Sequence, residues 1–304
     1  MKKILLTGSN GFIGSHLYSQ IEGQISVTSV DYGDNQNAKE IINLDLTNTD
    51  NVNYFAENCD HFDVLIFLVG LAHAKGKGKE LPEFKIINYQ TLVNLLSELD
   101  KRNKLPDKII FSSTISVYGE KINQNVYNED SDTKPFSPYA VTKLQAEQYL
   151  KENFGNRSWI LRFAPVYSST FFLNINRRTK IGSLFYCAGN GSNKLSICNI
   201  KNIKSAIDGI INNIIPAGVY NISDNKSYNY NELLKWQGAS FVLRVPKLIV
   251  QFLFYFGKLF GNIFLRENTT KLLTNNIYPN NKITAFIDLP FNLYDIKLDN
   301  KVNS

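Results

Sequence analysis

Thr7-Gly8-Ser9-Asn10-Gly11-Phe12-Ile13-Gly14 is the stretch on which the reading of this chain turns. It follows Lys3-Ile4-Leu5-Leu6, an apolar run long enough for a buried parallel strand and too short for a helix. After it, Phe12, Ile13, Leu17 and Ile21 recur at helical spacing, and Ile25 to Val30 reads as a second strand closed by Asp31. Strand, glycine turn, helix, strand and acid make a mononucleotide-binding βαβ unit. Gly8 permits the tight turn, Gly11 lets backbone amides approach a pyrophosphate, and Gly14 lets helix and strand pack closely. A diphosphate would then rest on the free N–H groups and positive dipole end of the helix, with Asn10, Phe12 and Ile13 as further contacts. The Gly-x-x-Gly-x-x-Gly spacing is one residue longer than the usual dinucleotide fingerprint. The flanking strand and acid therefore carry the assignment.

Asp31 also selects the cofactor. A carboxylate at the end of the second strand accepts hydrogen bonds from a ribose 2′-hydroxyl and repels a 2′-phosphate. No Arg follows it through Lys39, so NAD is expected rather than NADP.

The 304 residues support a large buried core in one domain or two, and the formal net charge of +6 is spread along the chain. No dense Lys/Arg block argues for nucleic acid. Cys59, Cys187 and Cys198 form no CxxC pair and no even framework, which points to a reducing compartment. His16, His61 and His73 lack metal-ligand spacing, so no metal is expected. Met1-Lys2-Lys3-Ile4-Leu5-Leu6 imitates the start of a signal peptide, but Thr7-Gly8-Ser9-Asn10 ends the apolar run too early, and a cytoplasmic protein is expected.

Further along, Glu40 to Leu44 reads as a third strand ending at Asp45-Leu46, and Asp50 to Asn58 as a short helix. Asp63 to Val69 is a buried strand that stops at Gly70. The run His73-Ala-Lys75-Gly-Lys77-Gly-Lys79 follows, either a solvated loop or an attractor for a diphosphate. Phe84 to Lys101 reads as one helix with Ile87, Leu92, Leu95, Leu96 and Leu99 inward. Lys108 to Thr114 is a fifth strand ending in three hydroxyls, Ser112-Ser113-Thr114, unusual at a strand's carboxyl edge unless they face a site. Ser137 as N-cap and Pro138 at the first helical position open the next helix. Tyr139 and Lys143 on it share a face, where an ammonium would lower the phenol's pKa. A surface Tyr and Lys at a common spacing would look the same.

Taken in order, Gly8/Gly11/Gly14, Asp31, Ser112-Ser113-Thr114…Val117-Tyr118-Gly119 and Tyr139-x-x-x-Lys143 resemble the extended short-chain dehydrogenase/reductase family, in its nucleotide-sugar epimerase/dehydratase branch. The likeness covers residues 1–225 well and the rest loosely. It implies an α/β fold: a Rossmann, doubly wound parallel sheet of about seven strands with helices on both faces, and a smaller C-terminal substrate lobe. Residues 1–165 would form the NAD-binding domain carrying the catalytic residues. Residues 166–304 would be mostly substrate lobe, with 195–223 returning to the sheet. The resemblance makes Tyr139 the acid/base and Lys143 the nicotinamide-ribose ligand, and places the Thr114 hydroxyl on the sugar's reacting oxygen. It puts Asp45 and Leu46 beside the adenine, and Leu68, Gly70, Asn88 and Pro165 along the cofactor path. Trp159 to Tyr167 resembles the family's sixth strand and its Arg-x-x-x-Val-Tyr turn, with Ser168 replacing the usual Gly. Residues 174–195 read as an irregular basic insertion whose Arg177 and Arg178, with Ser116, are candidate substrate contacts; exposed loop charges are the alternative. Leu195 to Ile200 resembles the strand before the family's Val-x-Asp motif, with Asn202 where Asp is usual. Gly218 to Ser223 reads as the last sheet strand.

The residues after Thr114 discriminate among reactions. The family's 4,6-dehydratases carry Asp-Glu there, to eliminate water; here Ile115 and Ser116 stand in those positions, and no acid at the turn supports decarboxylation. The expected activity is NAD-dependent 4-epimerisation of a nucleotide-sugar, a UDP-hexose or UDP-N-acetylhexosamine, in surface-polysaccharide biosynthesis. A 4-keto nucleotide-sugar reductase is the alternative, and an NAD(H)-sensing regulator on the same fold a third reading. The resemblance also implies a homodimer. Leu248 to Phe256 is strongly apolar but too short to span a bilayer. It reads as a helix of the substrate lobe or as a peripheral membrane anchor.

Overall fold

A computed structural model of the protein describes residues 2–21, 26–33, 41–72, 80–119 and 121–296. The basic run 73–79 lies outside the described residues, as does Glu40 at the start of the expected third strand. The seven-stranded sheet holds β1 (Lys3–Thr7), β2 (Ser26–Asp31), β3 (Ile41–Asn43), β4 (Val64–Phe67), β5 (Lys108–Thr114), β6 (Ser158–Phe163) and β7 (Gly218–Ile222). Their spatial order is β7-β6-β5-β4-β1-β2-β3. Registers run parallel, with Leu5 opposite Thr28 on one side and Leu65 on the other, and Ile66 opposite Ile110. Parallel strands need crossover connections, which here are largely helical: Phe12–Ile21 after β1, Thr49–Asn58 after β3 and Pro138–Phe154 after β5. Buried on both faces, β1 and β4 read as continuous apolar runs. Strand order reverses between β1 and β4. That reversal is the switch point at which such sheets take ligands, and the glycine turn leaves β1 there.

The chain divides into two compact units. The first gathers Met1–Val117, Ser137–Arg162 and Ile207–Val219. Its core packs Leu5, Leu65, Leu95, Leu96, Phe111 and Leu150, with the Phe67 and Phe111 rings 6.2 Å apart. The single helix expected over Phe84–Lys101 is instead three pieces: Leu81–Lys85, a π-helical turn Ile86–Gln90, and Thr91–Asp100. The wide turn holds Asn88 fully buried. Pro138 opens its helix as expected, but Ser137 forms no side-chain cap, and its hydroxyl is buried without a partner among the described residues.

The second unit comprises Tyr118–Phe136, Phe163–Ala206 and Tyr220–Ser304. Three buried rings, Tyr118, Tyr127 and Tyr278, stack with centroids 5.5–5.8 Å apart. Val126 bridges to Ile277 beside them, and the Tyr118 hydroxyl donates to Asn221 Oδ1 at 2.7 Å. Gly119 has φ +60°, and a Cβ there would fall 1.8 Å from the Lys134 carbonyl oxygen. Asp224 collects the Tyr167 and Tyr228 hydroxyls, the Asn199 amide and the Asn202 side chain at 2.6–3.0 Å. Burial pushes its carboxyl up to about 7 against those four hydrogen bonds.

The expected irregular insertion over 174–195 has regular structure. Helix Leu173–Thr179 leads into the hairpin Lys180–Ile181/Leu184–Ala188, and Leu243–Val245 adds a parallel third strand. Alternating contributions from distant parts of the chain hide such a sheet from local periodicity. Of residues 195–223, Gly218–Ile222 joins the seven-stranded sheet, whereas Leu195 and Cys198–Asn199 pair in separate two-stranded sheets. No described helix is long and apolar enough to cross a membrane.

Candidate active site

The glycine turn is built for close approach. Gly8 has φ +74°, and a Cβ there would meet the Leu68 and Val69 backbone at 3.0 Å. A Cβ on Gly14 would fall 2.1 Å from the Gly8 carbonyl oxygen, so helix and strand can pack only with glycine. No acid occupies the first turn of the helix that Phe12 and Ile13 begin, which suits a diphosphate at its positive end. Asp31 closes β2 with Oδ2 accepting from the exposed Asn10 N–H at 2.7 Å and Oδ1 from the Tyr32 N–H at 2.8 Å. The acid and the glycine turn are thus tied together. Asp45 accepts from the Thr47 amide and hydroxyl. Leu46 is buried in the core, and its carbonyl accepts from Asn94. These residues fit a dinucleotide: a cradle that added Cβ atoms would block, and a carboxylate at the ribose end.

The chemistry-bearing side chains stand at the carboxyl ends of β4 and β5 and on the Pro138–Phe154 helix. Thr114 ends β5, 8% exposed, and is hydrogen-bonded to Tyr139 through their side chains. Ser116 donates its amide to Thr114 Oγ1 at 3.2 Å. One turn beyond Tyr139, buried Lys143 donates from Nζ to the carbonyls of Ser112 at 2.9 Å and Val69 at 3.1 Å, 4.7 Å from the Phe111 ring centroid. Gly70 leaves the room this needs, since a Cβ there would stand 3.0 Å from Lys143 Nζ. Leu68 donates its amide to the Thr7 carbonyl, which joins the ends of β4 and β1. Asn88 is wholly committed: Oδ1 accepts from Leu71 N–H at 2.6 Å, and Nδ2 donates to Leu71 O and to Thr142 Oγ1. It fixes the loop after Gly70 to the Tyr139 helix.

The ionisation pattern differs from the sequence expectation. Burial pushes Tyr139 up to about 12, opposed by the Thr114 hydrogen bond, and pushes Lys143 down to about 7, opposed by the charge of Glu147. Desolvation outweighs the expected lowering of the phenol, and Tyr139 holds its proton at neutral pH.

Lys143 gives a stability prediction. In unfolded chain a lysine stays charged to about 10.4. Between about 7 and that value the unfolded state therefore binds more protons than the folded one, and stability rises with pH. In nucleotide-free protein, the melting temperature of wild type relative to Lys143→Met should climb from pH 7 to 10. A flat difference would mean the buried amine titrates normally.

A second layer of the site escaped the sequence. Glu147, fully buried one turn past Lys143, is clamped by Arg162, 2% exposed, with Nε donating at 3.0 Å and Nη2 at 2.6 Å. Ser113 donates its hydroxyl to the same carboxylate. The i, i+4, i+8 spacing of Tyr139, Lys143 and Glu147 was the available signal. Pro165, Arg177 and Arg178 belong to the second unit. The Pro165 carbonyl accepts from Cys198 N–H; Arg177 is exposed; Arg178 donates to the Asn174 carbonyl at 2.7 Å.

The sequence profile of the NAD dependent epimerase/dehydratase family matches residues 4–223, a span holding the glycine turn, Asp31, Thr114, Tyr139 and Lys143. The chain belongs to that family. NAD is the family's cofactor, and the β1 turn with Asp31 is where this epimerase/dehydratase chain would hold it. Among curated relatives, an uncharacterized UDP-glucose epimerase of Bacillus subtilis is 32% identical over 183 residues, 54% of this chain and 57% of the relative. The chain thus spans little more than half of that relative's length. The N-acetyl-alpha-D-glucosaminyl-diphospho-ditrans,octacis-undecaprenol 4-epimerase of Escherichia coli O157:H7 is 25% identical over 256 residues, 81% of this chain and 74% of that one. Among solved structures, UDP-glucuronic acid 4-epimerase from Bacillus cereus in complex with NAD superposes with a TM-score of 0.63 at 28% identity, covering 80% of this chain and 88% of that one.

Proposed function

We propose that this family member is an NAD-dependent 4-epimerase of a diphosphate-linked sugar, with a UDP-hexose or UDP-N-acetylhexosamine as substrate, acting through a 4-keto sugar in surface-polysaccharide synthesis. The observation that carries the reading is the Thr114–Tyr139 pair beside Lys143, with Ile115 and Ser116 where a dehydratase would need an acid and a base. Bound NAD supplies the hydride acceptor and, on return, the donor. The chain supplies the proton handling. Thr114 orients the C4 oxygen, and Tyr139 Oη exchanges the proton of that oxygen in each direction. Lys143, next along the helix face, favours the phenolate whenever it is charged. Inversion follows when the keto sugar presents its other face before the hydride returns. Residues 166–304 would supply most of the substrate lobe, with Arg177 and Arg178 at the diphosphate. The same reading includes a homodimer and, from the three free cysteines, a reducing cytoplasm. The UDP carrier is named by the B. subtilis relative and a lipid diphosphate carrier by the E. coli one. Both present a sugar on a diphosphate.

The test uses catalytic NAD⁺ without added reductant and a panel of UDP-sugars resolved by chromatography. The expected result is interconversion of a sugar with its C4 epimer while NADH absorbance stays flat. Stoichiometric NAD(P)H oxidation by a 4-keto nucleotide-sugar, with no epimer formed, would make the protein a reductase.

A further inference from the structure

In the second unit, helix Lys247–Leu259 buries only Val250 and Gly257, and helix Ile263–Leu273 only Thr269 and Thr270. The two pack closely at Gly257, where a Cβ would stand 3.2 Å from Leu265 Cβ. Most of their remaining apolar side chains face solvent: Leu248 is 77% exposed, Phe252 67%, Leu259 80% and Phe264 78%. Phe252, Phe256 and Phe260 form an exposed aromatic ridge, consecutive centroids 6.3 and 4.4 Å apart. Monomeric soluble proteins rarely leave so continuous an apolar patch uncovered.

Charge says what covers it. The Lys247–Leu273 hairpin carries four cations, Lys247, Lys258, Arg266 and Lys271, against one acid, Glu267. A second copy laid on this face would bring four cations against four with one acid on each side to answer them. An anionic lipid surface answers them and takes the aromatic rings as well. Against the hairpin, a cavity of about 190 Å³ is lined by Lys121, Phe136, Phe254, Ile263, Arg266 and Glu267, two cations to one acid. The Arg266 Nε there is buried without a hydrogen-bond partner among the described residues. A headgroup phosphate would satisfy such a donor. The first helix is 13 residues, about 20 Å, against about 30 Å of hydrocarbon, so it cannot cross.

We propose that the Lys247–Leu273 hairpin is a docking element for an anionic bilayer, lying in the headgroup layer with its aromatic ridge inserted. The proposal is independent of the reaction assigned above. The protein should co-sediment with vesicles of equimolar phosphatidylglycerol and phosphatidylcholine at least about tenfold better than with phosphatidylcholine alone. Phe252→Glu/Phe264→Glu should lower that partition at least about tenfold while NAD binding stays intact. Phe264→Trp, which keeps an aromatic ring at the ridge, should add an indole emission that brominated phosphatidylglycerol quenches. Three outcomes would overturn the proposal. They are equal binding by wild type and double variant, no quenching of the emission that Phe264→Trp adds, and a wild-type dimer that the double variant dissociates without any vesicle binding.

Discussion

Replacing Tyr139 by Phe is expected to cost about 10²- to 10⁴-fold in kcat, the usual worth of a positioned acid/base, while leaving fold and NAD affinity in place. The change removes one oxygen, the atom through which the side chain hydrogen-bonds Thr114. The ring stays where it packs, so melting temperature and NAD titration should match wild type. Thr114→Val should cost less, since it loses an orienting hydroxyl and leaves the proton carrier. If Tyr139→Phe retained near-normal turnover in the epimerase assay, the proton would have to be handled elsewhere.

The largest expected effect on stability belongs to Arg162→Met. It leaves Glu147, with no exposed surface, stripped of its bidentate partner; removing one member of such a pair costs about 3–5 kcal/mol. Lys151 is 3.7 Å from the same carboxylate but half in water, and it replaces little of the loss. Replacing both partners, Glu147→Leu with Arg162→Met, should recover much of the stability, because no lone charge remains. Chemical denaturation of the three variants gives the comparison. A single variant no less stable than the double would mean that the ion pair is not what holds this helix to β6. Glu147→Gln adds a catalytic readout. With the opposing charge gone, Lys143 should titrate lower still, shifting the pH profile of kcat toward acid.

Residues whose partners lie a few positions away were legible in the sequence. The glycine turn, β1, β4, β5, Asp31 and the Tyr139–Lys143 face all follow from local spacing, as does the capped helix Thr49–Asn58. The rest depends on distance along the chain. Arg162 was visible as a charge inside an apolar strand, but its meaning waits on Glu147. Asn202 looked like a departure from the family's acid; in the fold it donates to Asp224 and accepts from the Phe291 amide. Tyr139 shows the third kind of failure. Its neighbour Lys143 was plain to see, while the desolvation that dominates its pKa exists only once the core has closed.

The tyrosine stack also sets a schedule for biosynthesis. Tyr118 and Tyr127 leave the ribosome early, but the ring that closes over them, Tyr278, comes about 150 residues later. At typical elongation rates of about 5–20 residues per second that is a wait of roughly 8–30 s. Meanwhile the two rings, and the strand-forming groups of Val126 that later bridge to Ile277, have no native cover. Chaperone dependence during translation should therefore concentrate in this interval. Slowing codons placed between 160 and 278 should lower soluble yield, whereas the same codons placed before 118 should not.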